Sequence, residues 1–250
     1  MKKFIVILIL HCSIFLYSQN KVIQVEYEVF FNTDKPNTQF ANLYISENNI
    51  QSIYKKTPRA KASSKIEKKE DNNFDYQFSS NNTNYNYFDI KKDSLFSVET
   101  IFNEKYFIKE KIPVLKWELI NEEKNIDNIK VSKAICEFRG RKYIAWYSME
   151  YPVKFGPWKL HGLPGLIFEV YDESKRYNWI LKKITYEEYS KDIFKVEVTD
   201  VKIISINEYP YIKYNNKLME EKLMSKLPRG TEVINSESPR NGLEIKFEWE

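Results

Sequence analysis

Apolar and polar positions alternate from residue 21 onward. In residues 21–31, Val25, Tyr27, Val29 and Phe31 stand against Gln24, Glu26 and Glu28, the period-two pattern of a half-buried strand. Residues 40–46 and 50–54 are two short runs around Glu47-Asn48-Asn49, which predicts a hairpin. Residues 55–72 are lysine-rich with no apolar period and predict a mobile surface loop. Tyr- and Phe-rich runs follow at 84–90, 94–101, 104–109 and 114–120, at a strand spacing that predicts an antiparallel sheet. The helical pattern is confined to 210–227: Pro210 can open it, Ile212, Leu218, Leu223 and Met224 offer an apolar face, and Pro228-Arg229-Gly230 stops it. Residues 243–249 alternate again, as a last edge strand or a loose end. The pattern predicts one mainly β domain with a single antiparallel sheet and one C-terminal helix.

The first twenty residues read differently. Lys2 and Lys3 precede an apolar stretch from Phe4 to Phe15, and small Ser18 is followed by polar Gln19. This predicts a signal peptide over 1–18, with the domain spanning 19–250. The stretch is shorter than the about 20 apolar residues a spanning helix needs, and no later stretch is long and apolar enough. A lipidated Cys12 would call for a small residue before it, where bulky His11 stands.

Cleavage changes the charge balance. The chain has 39 basic and 35 acidic residues; without Lys2 and Lys3 the difference is 37 − 35, or +2, which gives no reason to expect nucleic acid as a partner. His161 and Cys136 become the only histidine and cysteine. An intrachain disulfide and a Cys/His zinc site are thereby excluded, and no regular Asp/Asn-rich calcium loop is present. No GxGxxG or P-loop suggests a cofactor.

One segment stands apart. Four of the six glycines and three of the nine prolines fall within 139–165, so the backbone there follows a specified irregular path. Ala134, Cys136 and Phe138 lead through Arg139-Gly140-Arg141 to Tyr143, Ala145 and Tyr147, a hairpin with a glycine turn. Residues 166–171 and 177–186 flank the charged turn 172–176 as a second hairpin. Between the two runs a connection, 148–165, long enough to be a structural flap or a functional loop.

The run from Phe138 to Asp172, with its Arg-Gly-Arg turn, Ala145-Trp146-Tyr147, Gly156-Pro157-Trp158 and the string Gly162-Leu163-Pro164-Gly165-Leu166-Ile167, resembles the signature of the GLPGLI family of exported Bacteroidota proteins. The resemblance implies a curved or bowl-like β domain, similar to one at the N-terminus of some bacterial peptide-N-glycosidases. It implies no activity and supplies no catalytic residues.

The candidate chemistry is sparse. His161 with Ser148 or Cys136 and Asp172 would be the nucleophilic arrangement, but Ser148 lacks an elbow context and Cys136 sits on an apolar strand face; His161 reads as a surface loop residue. Glu150, Glu169 and Asp172 could be found as carboxylate pairs in any chain this acidic. Ligand contact is better motivated, since the chain has 18 Tyr, 16 Phe and 5 Trp. Trp146, Tyr151, Trp158, Lys159, Arg139 and Arg141 are the candidate binding residues in and beside the flap. The competing role for Trp146 and Trp158 is as core anchors pinning the flap. The expected function is a non-enzymatic binding or assembly module of the cell envelope, in the periplasm or on the surface of a Gram-negative bacterium, with an envelope protein, peptide or glycan as partner. The rivals are a secreted hydrolase or accessory domain acting on glycan or peptide, and a structural accessory beside an outer-membrane transporter.

Overall fold

The computed structural model describes residues 21–34, 36–57, 65–68, 74–77, 84–102, 104–188, 191–196, 198–224 and 239–250. The expected signal peptide over 1–18 and the helix stop at 228–230 lie outside the described residues.

Two meanders make the sheet. In the first, β1 (Lys21–Phe31), β2 (Asn37–Ser46) and β3 (Gln51–Lys56) pair in sequence. The short β4 (Lys65–Lys68) and β5 (Phe74–Gln77) form a separate two-stranded sheet. The meander resumes with β6 (Tyr85–Asp89), β7 (Ser94–Ile101) and β8 (Glu104–Glu110). The second contains β9 (Glu118–Ile126), β10 (Ile129–Phe138), β11 (Arg141–Ser148), β12 (Leu166–Asp172) and β13 (Tyr177–Glu188). β13 returns to pair antiparallel with β1, and β14 (Lys202–Ser205) runs parallel to β8. The result is one open, curved sheet of twelve strands in the order β14-β8-β7-β6-β3-β2-β1-β13-β12-β11-β10-β9. The long edge strand β9 carries Glu118, Glu122, Glu123 and Lys124, charges that discourage a further strand from adding there.

Local chemistry explains most of these elements. Alternation in β1 buries Val25, Tyr27 and Val29 completely. The β10–β11 turn holds Arg139 and Gly140 at φ 47° and 82°, the two left-handed residues that match the strand twist. Asn49 at φ 53° completes the β2–β3 turn.

The structure departs from the sequence reading in five places. Residues 65–68, read as part of a loop, are a strand. Residues 111–117, which include the start of the run expected at 114–120, have no regular structure; β9 begins only at Glu118, after Pro113 has denied the ladder a donor. One of the eleven strand pairings in the large sheet, β14 with β8, is parallel. The helical run is broken at extended Asn215 (ψ 103°) into α1 (Tyr209–Tyr214) and α2 (Asn216–Met224). The tail 239–250 is neither an edge strand nor loose, for Glu244 and Phe247 are buried and the Ile245 amide donates to the Arg139 carbonyl at 2.9 Å.

The main core joins Val25, Tyr27, Leu43, Tyr54, Cys136, Tyr143 and Trp179 of the sheet to Val153, Phe155, Trp158, Leu160 and Leu163 of the 149–165 connection. Ile112, Leu115, Trp117 and Leu243 pack against it. A second cluster joins Ile101, Tyr106, Ile108 and Ile204 to Tyr209 and Phe247. The connection, the 111–117 segment, α1 and the tail thus share the work of covering the sheet.

Candidate functional site

The 149–165 connection is a compact fold of its own. Gly156 N donates to Leu160 O at 2.9 Å and Gly162 N to Lys154 O at 2.7 Å, closing a small hairpin whose tip is Pro157-Trp158-Lys159. Gly162 sits at φ 92°. Gly165 is required for a different reason: a Cβ there would lie 2.1 Å from the Ser148 carbonyl oxygen. Trp158, itself left-handed at φ 55°, stacks on Trp179 with ring centroids 6.3 Å apart and packs against Phe138 and Tyr143.

Next to it, Lys159 is wholly enclosed. Its Nζ donates to Glu110 Oε1 at 2.8 Å and Glu244 Oε1 at 2.9 Å. The Arg139 guanidinium donates to the same two carboxylates, and its Nε donates to Glu248 Oε1 at 3.2 Å. Arg139, Lys159, Glu110 and Glu244 have side chains no more than 2% exposed. Burial alone would raise the Glu244 carboxyl, but Lys159, Arg139 and Lys213 bring it down to about 2. Burial likewise opposes the charge on Arg139, and Glu244 and Glu110 raise its pKa despite that. Four elements meet at this cluster: the end of β8, the β10–β11 turn, the hairpin tip and the tail.

A second ionic group lies beside it. Glu99 on β7 accepts from Tyr209 Oη at 2.7 Å and Lys213 Nζ at 3.2 Å. Burial works to raise the Glu99 carboxyl, while Lys213, Lys159 and the Tyr209 hydroxyl hold it below the usual carboxylate value.

Between the two groups is a cavity of about 380 Å³, within the range of small-ligand sites. Tyr54 and Lys56 on β3, Asn86 on β6 and Glu99 on β7 share the sheet face that lines it, with Trp158, Lys213, Leu243 and Glu244 beside them. Asn84, also in the lining, has an Oδ1 shut away from solvent with no hydrogen-bond partner, an arrangement that costs about 1–3 kcal/mol.

The six residues singled out from the sequence occupy different settings. Trp158 lines this cavity, while Lys159 and Arg139 lie outside its lining and hold Glu244, which is part of it. Arg141 reaches the tail, donating to Gly242 O at 2.9 Å and Asp172 Oδ2 at 3.1 Å. Tyr151 is half-buried against Phe168. Trp146 is buried with Lys124 Nζ 4.3 Å from its ring, on the alternate face of β11 from Tyr143 and Ala145. The sequence reading missed Tyr54, Tyr85, Asn86, Glu99, Glu110, Lys213 and Glu244, whose association has no local signal.

His161 is a correction. It bridges to Phe155 inside the connection, its Nδ1 lies 2.9 Å from Lys159 O and its ring packs on Phe88. Burial lowers its pKa, with the Lys159 and Pro113 carbonyls opposing. Among the described residues, no group of His, Cys, Asp and Glu is arranged to hold a metal, and no helix is long and apolar enough to cross a membrane.

Residues 44–169, which are 126 of the 250, match a family model described as a protein of unknown function, Porph_ging. The chain belongs to this family. The match covers the Gly162–Ile167 string and β3 to β11, and so most of the cavity floor and the Porph_ging chain's hairpin tip. No curated protein matches the sequence. Two structures of PNGF-II are similar, with TM-scores of 0.52 and 0.50 at 15% and 14% identity, each covering 78% of this chain and 33% of that one. The chain thus spans about a third of the PNGF-II chains, and at this identity the likeness concerns the fold alone. A LolA superfamily protein from Nitrosomonas europaea superposes more loosely, with a TM-score of 0.31 at 10% identity over 72% of this chain and 92% of that one, which carries no argument.

Proposed function

We propose that this chain is a non-enzymatic binding or assembly module of the cell envelope, exported through residues 1–18, with residues 19–250 forming its working domain. The observation that carries this reading is the cavity at Trp158: its carboxylates Glu99 and Glu244 are already paired with lysines, so what it offers a partner is a shaped surface of mixed apolar and polar groups.

The same pairing disfavours the hydrolase alternative. Acid–base hydrolysis by two carboxyls needs one kept protonated near neutral pH, whereas Glu99 and Glu244 are both pulled toward the ionised form. Asp172 accepts from Arg141 and from the Tyr177 amide, and Ser148 Oγ donates to Lys130 O, so neither is engaged with His161. The presence of a similar fold in about a third of PNGF-II supports modular use.

The direct test immobilises the mature protein and a Leu243→Trp variant, which enlarges a half-buried side chain of the cavity lining, and passes envelope extract over both. A component retained by wild type and released from the variant, at equal melting temperature, is expected. Equal retention by the two, or cleavage of the retained component, overturns the reading.

A further inference from the structure

We infer that one end of the sheet docks on an anionic phospholipid bilayer, through residues 111–117 and the turn between β6 and β7. A second cavity, of about 360 Å³, lies there and shares no lining residue with the one at Trp158. Phe88 and Phe155 belong to its lining but are nearly shut off from solvent. Its accessible apolar surface comes from Ile90 and Val114, 42% and 84% exposed, and from half-buried Ile112 and Leu115.

Val114 is held out by its surroundings. Its neighbours Ile112, Leu115 and Trp117 pack against the main core, and Trp117 Nε1 donates to His161 O at 2.8 Å. Pro113 fixes the backbone one residue before it. With the flanking side chains committed inward, Val114 is left in water.

A single exposed valine would need no explanation; the charges around this one supply it. The segments that line the cavity carry or adjoin Lys91, Lys92, Lys111, Lys116 and Lys154, against Asp89 and Asp93. Asp89 is buried and lies 3.6 Å from Lys92, so Asp93 is the one exposed carboxylate among them. Among the described residues, Lys91, Lys111, Lys116 and Lys154 have no ion-pair partner. Several exposed lysines elsewhere do stand beside carboxylates, as Lys130 by Glu123 and Lys182 by Glu28. The near-neutral total charge conceals this local excess.

Four uncompensated ammonium groups around an apolar tip match phosphate headgroups overlying acyl chains. The lysines meet the headgroups while Val114 and Ile90 enter the boundary beneath them. An acidic peptide would answer the lysines and leave the apolar tip unanswered. The inference is independent of what the Trp158 cavity binds.

The test is co-sedimentation of the mature protein, which lacks the apolar stretch Phe4–Phe15, with vesicles of phosphatidylcholine alone and of equal parts phosphatidylcholine and phosphatidylglycerol. Binding to the mixed vesicles is expected to be at least about tenfold tighter than to phosphatidylcholine, and to weaken as salt is added. Lys116→Gln and Lys154→Gln should each weaken it about fivefold. Val114→Asp should weaken it further, and Val114→Trp should strengthen it, a gain that a folding defect would not imitate. Lys175→Gln, on the β12–β13 turn at the opposite end of the strands, should leave it unchanged. Equal binding to both kinds of vesicle, binding to neither, or binding indifferent to Val114→Asp and Lys154→Gln would overturn the inference. Capture by polyglutamate but by neither vesicle, lost in Lys116→Gln and Lys154→Gln, would overturn the bilayer in favour of an acidic protein partner.

Discussion

Lys159 donates to Glu244 at 2.9 Å across 85 positions of sequence, from the tip of an irregular hairpin to a tail without regular structure. Two segments that form no strand with the sheet are thereby fixed to each other and, through Arg139 and Glu110, to it.

Lys159→Met should therefore lower the unfolding free energy by about 3–5 kcal/mol, because it strands buried carboxylates. Adding Glu244→Gln should cost less than the sum of the two single changes, as expected for residues in contact. Urea titrations of the four proteins check this; additive losses would mean that the pair is not coupled.

Acid should loosen the same junction. Above about pH 4.5, the ordinary value for a glutamate, Glu244 is ionised folded or unfolded and its contribution is complete. Below that the unfolded chain takes up the proton first, and the contribution falls until the folded carboxyl protonates near about 2. The melting temperature should drop through this window, and more shallowly in Glu244→Gln. Parallel curves for the two proteins would contradict the assignment.

The two glycines of the 162–167 string should respond unequally. Gly162→Ala meets open space, with its nearest neighbour 4.0 Å away on Trp117, and should cost about 1–2 kcal/mol for its left-handed backbone. Gly165→Ala drives a methyl into the Ser148 carbonyl and must move the backbone. Thermal melts should place Gly165→Ala well below Gly162→Ala; the reverse order would refute the packing argument.

Trp158→Ala should cost about 3–5 kcal/mol, as removal of a large core ring does, since it forfeits the contacts with Trp179, Phe138 and Tyr143. A melting temperature within about a degree of wild type would show that the ring serves only a ligand.

Cys136 should react slowly in buffer and fully in denaturant, since burial pushes its thiol up to about 12. Rapid labelling of the native protein with a maleimide would place it on an accessible surface instead.

What the sequence disclosed follows from range. The hairpin through Arg139-Gly140 and the alternation of β1 are written in adjacent residues, and both are present as expected. Arg139 and Lys159 stood out as basic residues among aromatics, which suggested ligand contact. Their carboxylates arrive from Glu110, 49 positions before Lys159, and from Glu244, and no local pattern marks a glutamate as the partner of a distant lysine. The tail escaped for the same reason, since its alternation resembles a strand while its place is set by Arg139.

The pairing of β1 with β13 also dictates an order of assembly. Each meander is built from neighbours in sequence, whose hairpins can close in about 1–10 μs. The junction between them cannot: Tyr27 Oη reaches Ile167 O over 140 positions, and Trp179 Nε1 reaches Tyr54 Oη over 125. Contacts so distant wait on the closure of a long loop, and folds that depend on them mature slowly. Until β13 arrives, β1 presents one flank of bare N–H and C=O groups over eleven residues, in a half-made sheet with its apolar face uncovered. The hazardous interval for this chain comes late in folding, and a chaperone that protected it would act best by shielding β1 until residues 177–188 had been delivered.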